Sequence, residues 1–268
     1  MEEERQMTTM DGTELFSKKN AAEEPIAAAV IVHGLAEHMD RYEALTETLV
    51  KHRITVYRYD QRGHARSGGR RVYFSDFNEM PDDAKKMVDT AKTENPKLPV
   101  FLIGHSMGGF TAAAFGTKYP GHVDGIILSG ALTRYNKEIF GPLPVDRPDD
   151  FYFDNELGDG VCSDPEVVRA YENDPLVEKK ISAGLLNVFP SGIDWLKSHS
   201  ESFADPVLVL HGNEDGLVAE KDSRDFYADI ASRDKTLKIY ALLMHEIFNE
   251  PSRYTIYGEV IDWINERV

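Results

Sequence analysis

Apolar residues fall along this chain in two rhythms. Short unbroken runs recur in PIAAAVIVHG (25–34), at the start of ITVYRYDQRGHARSGG (54–69), in LPVFLIG (98–104) and in VDGIILSG (123–130). They return in DPVLVLHG (205–212) and KTLKIYALLMH (235–245). Runs that are apolar at every position predict strands covered on both faces. Between them the spacing changes to that of helices. Tyr42, Leu45, Leu49 and Val50 share a helical face within residues 37–52. MPDDAKKMVDTAKTENP (80–96) predicts a helix stopped before Pro96, and an alanine-rich helix after residue 109 ends near Tyr119-Pro120-Gly121. The closing SRYTIYGEVIDWINERV (252–268) puts Ile256, Val260, Ile261 and Ile264 on one side.

Strands alternating with helices predict βαβ units and a mostly parallel sheet. The amino-terminal QMTTMDGTELFSKK (6–19) predicts a hairpin turning at Asp11-Gly12. One block breaks the rhythm: residues 132–199 hold no run suited to a buried strand. They contain GPLPVDRPDD and FYFDNELGDG, with helical pieces in DPEVVRAYEN and LVEKKISAGLLNVF. This block is expected to be an inserted cap on a core formed by residues 1–131 and 200–268, within a single structural domain.

At residues 100–116 a strand runs into VFLIGHSMGGFTAAAFG, with Gly104-His105-Ser106-Met107-Gly108-Gly109 at its seam. Gly-X-Ser-X-Gly between a strand and a helix is the pattern of a nucleophile elbow. The sharp turn lifts the hydroxyl clear of the sheet, and the flanking positions lie too close to other backbone for a side chain. Serine needs a base, and the base needs an orienting acid, following it along the chain in the order Ser, acid, His. Two histidines lie well downstream of the cap, His211 and His245. His211 ends a strand and reads as a packing residue, whereas His245 follows the last strand on a loop. The acid is expected from GNEDGLV (212–218), which offers Glu214 and Asp215; Asp215, followed by Gly216, is preferred. Two backbone N–H groups should bind the oxyanion, that of Met107 after the serine and that of Leu35 in the loop after the first parallel strand.

Composition narrows the partners. Lys and Arg number 30 against 46 Asp and Glu, a net charge of −16. Nucleic acid is not expected as a partner, because phosphate neutralisation requires clustered cations, and a strongly anionic membrane is a poor target. Cys162 is the single cysteine, so no internal disulfide forms. No stretch reads as a secretory signal or a membrane span. A cytoplasmic protein is expected, and its oligomeric state stays open.

Taken together, HGLAEHMDRYE (33–43), DQRGHARS (60–67), GHSMGG (104–109), YENDPLV (171–177), HGNEDGLV (211–218), DKTLKIY (234–240) and HEIFNE (245–250) resemble the α/β-hydrolase superfamily. Within it the chain is similar to monoacylglycerol lipases and bacterial lysophospholipases, also labelled serine aminopeptidase-like hydrolases. The resemblance implies an eight-stranded, mostly parallel sheet with flanking helices and a small helical cap after the sixth strand. It implies Ser106, Asp215 and His245 as the triad, which decides for Asp215 over Glu214, and Leu35 and Met107 at the oxyanion positions. It implies hydrolysis of a small acyl ester such as a monoacylglycerol, with no cofactor and no metal. The motif usually ending G-H-G-x-S has Ala65 at its second glycine, which is expected to shift a turn. Asp149, Asp150, Asp154, Glu156 and Asp159 make the cap acidic, leaving at most a transient membrane contact. An aminopeptidase, its substrate ammonium held by those acids, and a non-catalytic binding protein are the rival readings.

Overall fold

The computed structural model describes residues 2–268; Met1 lies outside the described residues. Strand β1 (Glu2–Thr8) pairs antiparallel with β2 (Glu14–Asn20), and the hairpin turns through Asp11-Gly12 as its sequence predicts. The buried run PIAAAVIVHG forms β3 (Ala27–Val32). A short 3₁₀ turn at Met39–Tyr42 leads into α1 (Glu43–Lys51), then β4 (Ile54–Tyr59), α2 (Glu79–Glu94), β5 (Val100–His105), α3 (Met107–Lys118) and β6 (Gly125–Ser129). After residue 199 come β9 (Val207–Gly212), α6 (Glu220–Asp229), β10 (Lys235–Tyr240) and α7 (Arg253–Asn265).

The main sheet has eight strands in the order β1-β2-β4-β3-β5-β6-β9-β10. Pairing is parallel from β4 across to β10, while β2 lies antiparallel to both β1 and β4. The unbroken apolar runs follow from a sheet covered on both faces. Side chains alternate between two cores. Ala28, Val30, Val32, Leu102, Ile126 and Leu128 face the helices α2, α3 and α6. Ala27, Ala29, Ile31, Phe101, Ile103 and Ile127 face α1 and α7. Alanine at three successive positions of β3 keeps the sheet's centre thin enough for helices on both sides.

Two expectations need correction. KTLKIYALLMH reads as a buried strand, but every residue of β10 is only half-buried, because β10 is the edge of the sheet. Its own Lys-Thr-Leu-Lys-Ile-Tyr alternation carries that signal. In LVEKKISAGLLNVF the first half is not helical. Lys180–Ser182 instead forms β8, paired antiparallel with β7 (Tyr152–Asp154) in a small separate ladder. Helix α5 then runs over Ala183–Ser198, and α4 occupies Pro165–Asn173. Strands of three residues are too short to show a period of two. Helix α6 escaped the hydrophobic pattern because few of its positions, Phe226 foremost, reach the core.

Segment 132–199 is tied to the rest by polar bonds. Glu178 N–H donates to Ala36 O at 2.8 Å, its carboxylate meets Arg71, and His38 Nε2 lies 2.9 Å from Asp174 Oδ2. Ser182 does two tasks: its Oγ accepts from Leu185 N–H at 3.0 Å, capping α5, and donates to Val72 O. Among the described residues no helix is long and apolar enough to cross a membrane. Ser182→Ala removes the cap and strands the buried Val72 carbonyl. It should lower unfolding free energy by about 1–2 kcal/mol, seen as a lower urea midpoint at unchanged slope. An unchanged midpoint would show that these bonds contribute nothing.

Candidate active site

Strand β5 delivers Ser106 at the first turn of α3, with φ 55° and ψ −117°. A non-glycine residue in that region stores about 1–3 kcal/mol of strain. The backbone is held there from three sides. Ser106 N–H donates to Ser129 O at 2.9 Å, and Ser106 O accepts from Phe110 N–H at 3.0 Å and Leu132 N–H at 3.2 Å. The flanking glycines have steric causes. A Cβ on Gly104 would stand 2.2 Å from Gly108 O, and one on Gly108 would stand 2.2 Å from Val32 O and 2.4 Å from His33 O. The elbow therefore presses against the end of β3, which brings the loop carrying Leu35 beside the serine.

Asp215 and His245 meet as the sequence predicts. His245 Nδ1 lies 2.7 Å from Asp215 Oδ2, and both side chains are buried, while Glu214 points to solvent. Burial works against a charged Asp215. Attraction to His245 and hydrogen bonds from His211 and His245 outweigh it and hold the carboxyl well below its ordinary range. Asp215 Oδ1 also accepts from Leu217 N–H and Val218 N–H, each at 2.8 Å. Burial likewise disfavours charge on His245, yet Asp215, Glu246 and Glu37 turn the balance and raise its proton affinity. His105 packs its ring 4.5 Å from that of His245, and burial with His245 beside it pushes His105 down to about 3, so it is neutral.

Some contributors lie within the motifs quoted above but had no site role read for them. His211 is buried at the strand end, as read from the sequence, but it also sets Nε2 2.9 Å from Asp215 Oδ2, with Nδ1 2.7 Å from Ser223 Oγ. A second group surrounds Arg41, which reaches Glu37 Oε2 at 2.8 Å and Glu246 Oε2 at 2.8 Å. Burial works against a charged Glu37, but the Arg41 guanidinium outweighs it and holds the carboxyl at about 2. The i,i+4 spacing of Glu37 and Arg41 was the only available sequence signal for that pair. Ala65 takes φ 39°, so the left-handed turn for which glycine is usual is present with alanine in it. Cys162 is buried, and desolvation pushes its thiol up to about 12, which leaves it protonated and inert.

Ser106, His245, Leu35 and Met107 all line one cavity. Its lining is largely apolar, with Leu132, Ile139, Phe140, Leu157, Phe189 and Leu217, and includes the polar Glu37, Tyr171 and Glu246. Met107 is the first residue of α3, so its N–H has no partner within the helix and sits in the positive end of the dipole. Among the described residues no group of three or more His, Cys, Asp or Glu is arranged to hold a metal ion.

A serine on a strained strand-to-helix turn, a buried imidazole–carboxylate pair two strands away and a mostly parallel eight-stranded sheet define an α/β-hydrolase. The sequence model of the family described as "Serine aminopeptidase, S33" matches residues 23–252, and the chain belongs to that family. It is 34% identical over 252 residues to the monoacylglycerol lipase of Mycolicibacterium smegmatis, covering 90% of this chain and 89% of that one. It is 32% identical over 277 residues to human monoglyceride lipase, covering 97% and 90% of the two chains. The crystal structure of Paleococcus ferrophilus monoacylglycerol lipase superposes with a TM-score of 0.82 at 26% identity, over 95% of this chain and 100% of that one. The chain is thus an ester-hydrolysing enzyme of a monoacylglycerol lipase-like family.

The elbow's sterics make a paired prediction. Gly108→Ala should destabilise the fold by about 3 kcal/mol, because backbone oxygens cannot move aside. Gly258→Ala in α7, where an added Cβ meets nothing within 4 Å, should stabilise by up to about 1 kcal/mol. Thermal unfolding of the two variants beside the parent protein decides; equal melting temperatures for both would overturn the steric account.

Proposed function

We propose that this enzyme is a serine carboxylesterase that cleaves monoacylglycerols or other short- to medium-chain acyl esters through an acyl-enzyme. The observation that carries the proposal is the 2.7 Å bond between His245 and the buried Asp215, beside a cavity that Ser106 shares. In this reading residues 132–199 are the cap over the cavity, on a core of residues 1–131 and 200–268. The lone buried thiol and the acidic charge suit a reducing cytoplasm.

His245 removes the Ser106 proton as Oγ attacks the ester carbonyl. The electron pair displaced from the carbonyl settles on oxygen between the N–H groups of Leu35 and Met107. Each such donor is worth about 10²–10³ in rate. Imidazolium then hands its proton to the departing alcohol, the acyl group stays on Ser106, and a water activated by His245 releases the acid. Asp215 remains ionised throughout, fixes the tautomer with the proton on Nδ1, and stabilises the imidazolium. The apolar lining suits an acyl chain, and Glu37, Tyr171 and Glu246 suit a hydroxylated leaving group. Phe151, an apolar residue exposed on the cap, directly follows Asp149 and Asp150, which favours dispersed ester over a membrane-bound film.

Ser106→Ala should abolish p-nitrophenyl ester hydrolysis and labelling by a fluorophosphonate probe. Wild-type turnover in that variant would remove the assignment. Aminoacyl-p-nitroanilides, tried beside matched esters, should remain uncleaved; efficient anilide cleavage would favour the peptidase reading. Asp215→Asn keeps the shape but favours the wrong tautomer, so kcat should fall by about 10⁴-fold with the fold intact by circular dichroism.

The pH profile has a definite sign. The base works when neutral, and Asp215, Glu246 and Glu37 favour its charged form. The acid limb of kcat/KM should therefore lie above the ordinary imidazole range, with activity rising as pH increases through it. A limb below that range would contradict the electrostatics described here.

A further inference from the structure

The hydrolytic scheme leaves one buried carboxylate beside the base unused. Glu246 directly follows His245, is 4% exposed and lines the same cavity. Its two oxygens accept the two terminal N–H groups of Arg41, Nη2 to Oε2 at 2.8 Å and Nη1 to Oε1. Arg41 Nη1 also donates to Glu37 Oε2 at 2.8 Å. The other Glu37 oxygen accepts the Gly34 N–H and, at 2.6 Å, the Tyr42 hydroxyl. Gly34 immediately precedes Leu35. An unbroken chain of charge-assisted bonds thus runs from the loop offering the oxyanion N–H, through one guanidinium, to the residue bonded to His245.

Further bonds hold Glu246 in place. Asn249 Nδ2 donates to Oε2 at 2.9 Å, and Glu246 N–H donates to Val161 O at 2.7 Å. The Arg41 guanidinium lies 4.9 Å from the Tyr171 ring centre. Both Val161 and Tyr171 belong to segment 132–199.

We propose that Glu246 is a positioning residue for ester hydrolysis, gripping Arg41 so that the loop carrying His245 is held in register with the loop carrying Leu35. The proposal rests on the assignment of Ser106, His245 and Leu35 made above. Nucleophile, base and oxyanion donor come from three separate loops, and a misplacement of about 1 Å among such groups costs about 10²-fold in rate. Arginine suits the task because its planar fork serves two carboxylates at fixed angles, which a lysine cannot do. Stability alone does not account for the second carboxylate. Arg41 with Glu37 is already a neutral pair, and Glu246 adds a buried negative charge, which desolvation disfavours. That charge lies beside the imidazole, where positive charge develops during the reaction.

The groups facing His245 are few. Asp215, with His211 behind it, comes from the acid loop, and neutral His105 from the end of β5. Glu37 and Arg41 face it from the oxyanion side, and Lys137 of the cap segment bonds the Asp215 carbonyl. Removing Glu246 deletes one negative charge from this set and leaves the others.

The test uses the full chain with p-nitrophenyl butyrate, rates being normalised to sites labelled by a fluorophosphonate. Glu246→Ala should lower kcat by about 10- to 100-fold with KM changed by no more than about twofold. Glu246→Gln keeps an acceptor for Arg41 without the charge, so it should recover most of the lost kcat. Both variants should move the acid limb of kcat/KM to lower pH, since a charge favouring imidazolium is gone. A purely structural role would lower the melting temperature and the labelled fraction but leave kcat per labelled site and the acid limb unmoved, and that result overturns the proposal. If the alanine variant does not fold, the acid limb of the glutamine variant decides alone. Failure of the wild-type chain to label at Ser106 overturns the parent assignment; normal wild-type labelling with unchanged Glu246 variants overturns this proposal only.

Discussion

Asp215 stays ionised where water hardly reaches it, and the functional end of the molecule is built around that constraint. Burial by itself favours the neutral acid. Two backbone N–H groups of its own loop and two imidazoles supply donors on both oxygens. Once held this way, the carboxylate can do what a solvated one cannot: it fixes the orientation of His245 in a low-dielectric site, where each bond counts for more than in water. The loop after β9 winds around the carboxylate, and the loop after β10 crosses above it. A Cβ on Gly212 would stand 2.3 Å from both Leu243 O and Met244 O, which shows how closely the histidine's loop rests on the strand end.

The sheet provides the rigidity this arrangement needs. Its central strands are buried on both faces between two cores, one against α2, α3 and α6 and the other against α1 and α7. Strand ends set in such packing move little, so Ser106 after β5, Leu35 after β3 and the carboxylate after β9 keep a common frame. Backbone strain at Ser106 persists only because its carbonyl and N–H are both bonded to neighbouring segments. Segment 132–199 joins this frame through a shared core, where Phe189 packs on Phe110 and Ile181 and Leu185 are fully buried, and through specific polar bonds. Lys137 binds the Asp215 carbonyl, and Val161 O accepts from Glu246 N–H.

Features that obey a local rule were legible in the sequence. Unbroken apolar runs marked the central strands, and Gly104-X-Ser106-X-Gly108 marked a turn in which a Cβ added to either glycine would stand 2.2 Å from a backbone oxygen. Chain order and loop position both pointed to Asp215 and His245, which the structure brings together. What stayed hidden depends on contacts between distant segments. His211 looked like a packing residue because its bond to Asp215 spans a loop whose path no periodicity encodes. Arg41 and Glu246 are separated by 205 residues, and neither stands in a motif that links them. The half-buried β10 and the three-residue β7 and β8 failed for a different reason. Edge exposure and very short pairing are decided by neighbours, not by the strand's own hydrophobicity.

Charge balance separates the site from the rest of the interior. Elsewhere some buried ions have a partner of opposite sign: Arg62 holds Asp83 at 2.7 Å, and Arg58 holds Glu43 at 2.9 Å. Around the cavity Glu37, Glu246 and Asp215 face a single arginine, Arg41, because His105 is neutral. With His245 also neutral, as the proposed mechanism requires of its base, the cluster carries an excess of negative charge that desolvation makes unfavourable. In that mechanism, transfer of the serine proton to His245 reduces the excess without moving any side chain. The resting site is therefore the less favourable electrostatic arrangement, and the charged intermediate is the better matched one, which is the direction that lowers a barrier. The opposing demand falls on the oxyanion. It forms in a region of negative potential, so the backbone donors after β3 and at the head of α3 must be held on it rigidly, and the bonds from Glu37 to Gly34 and Arg41 anchor the first of those two loops.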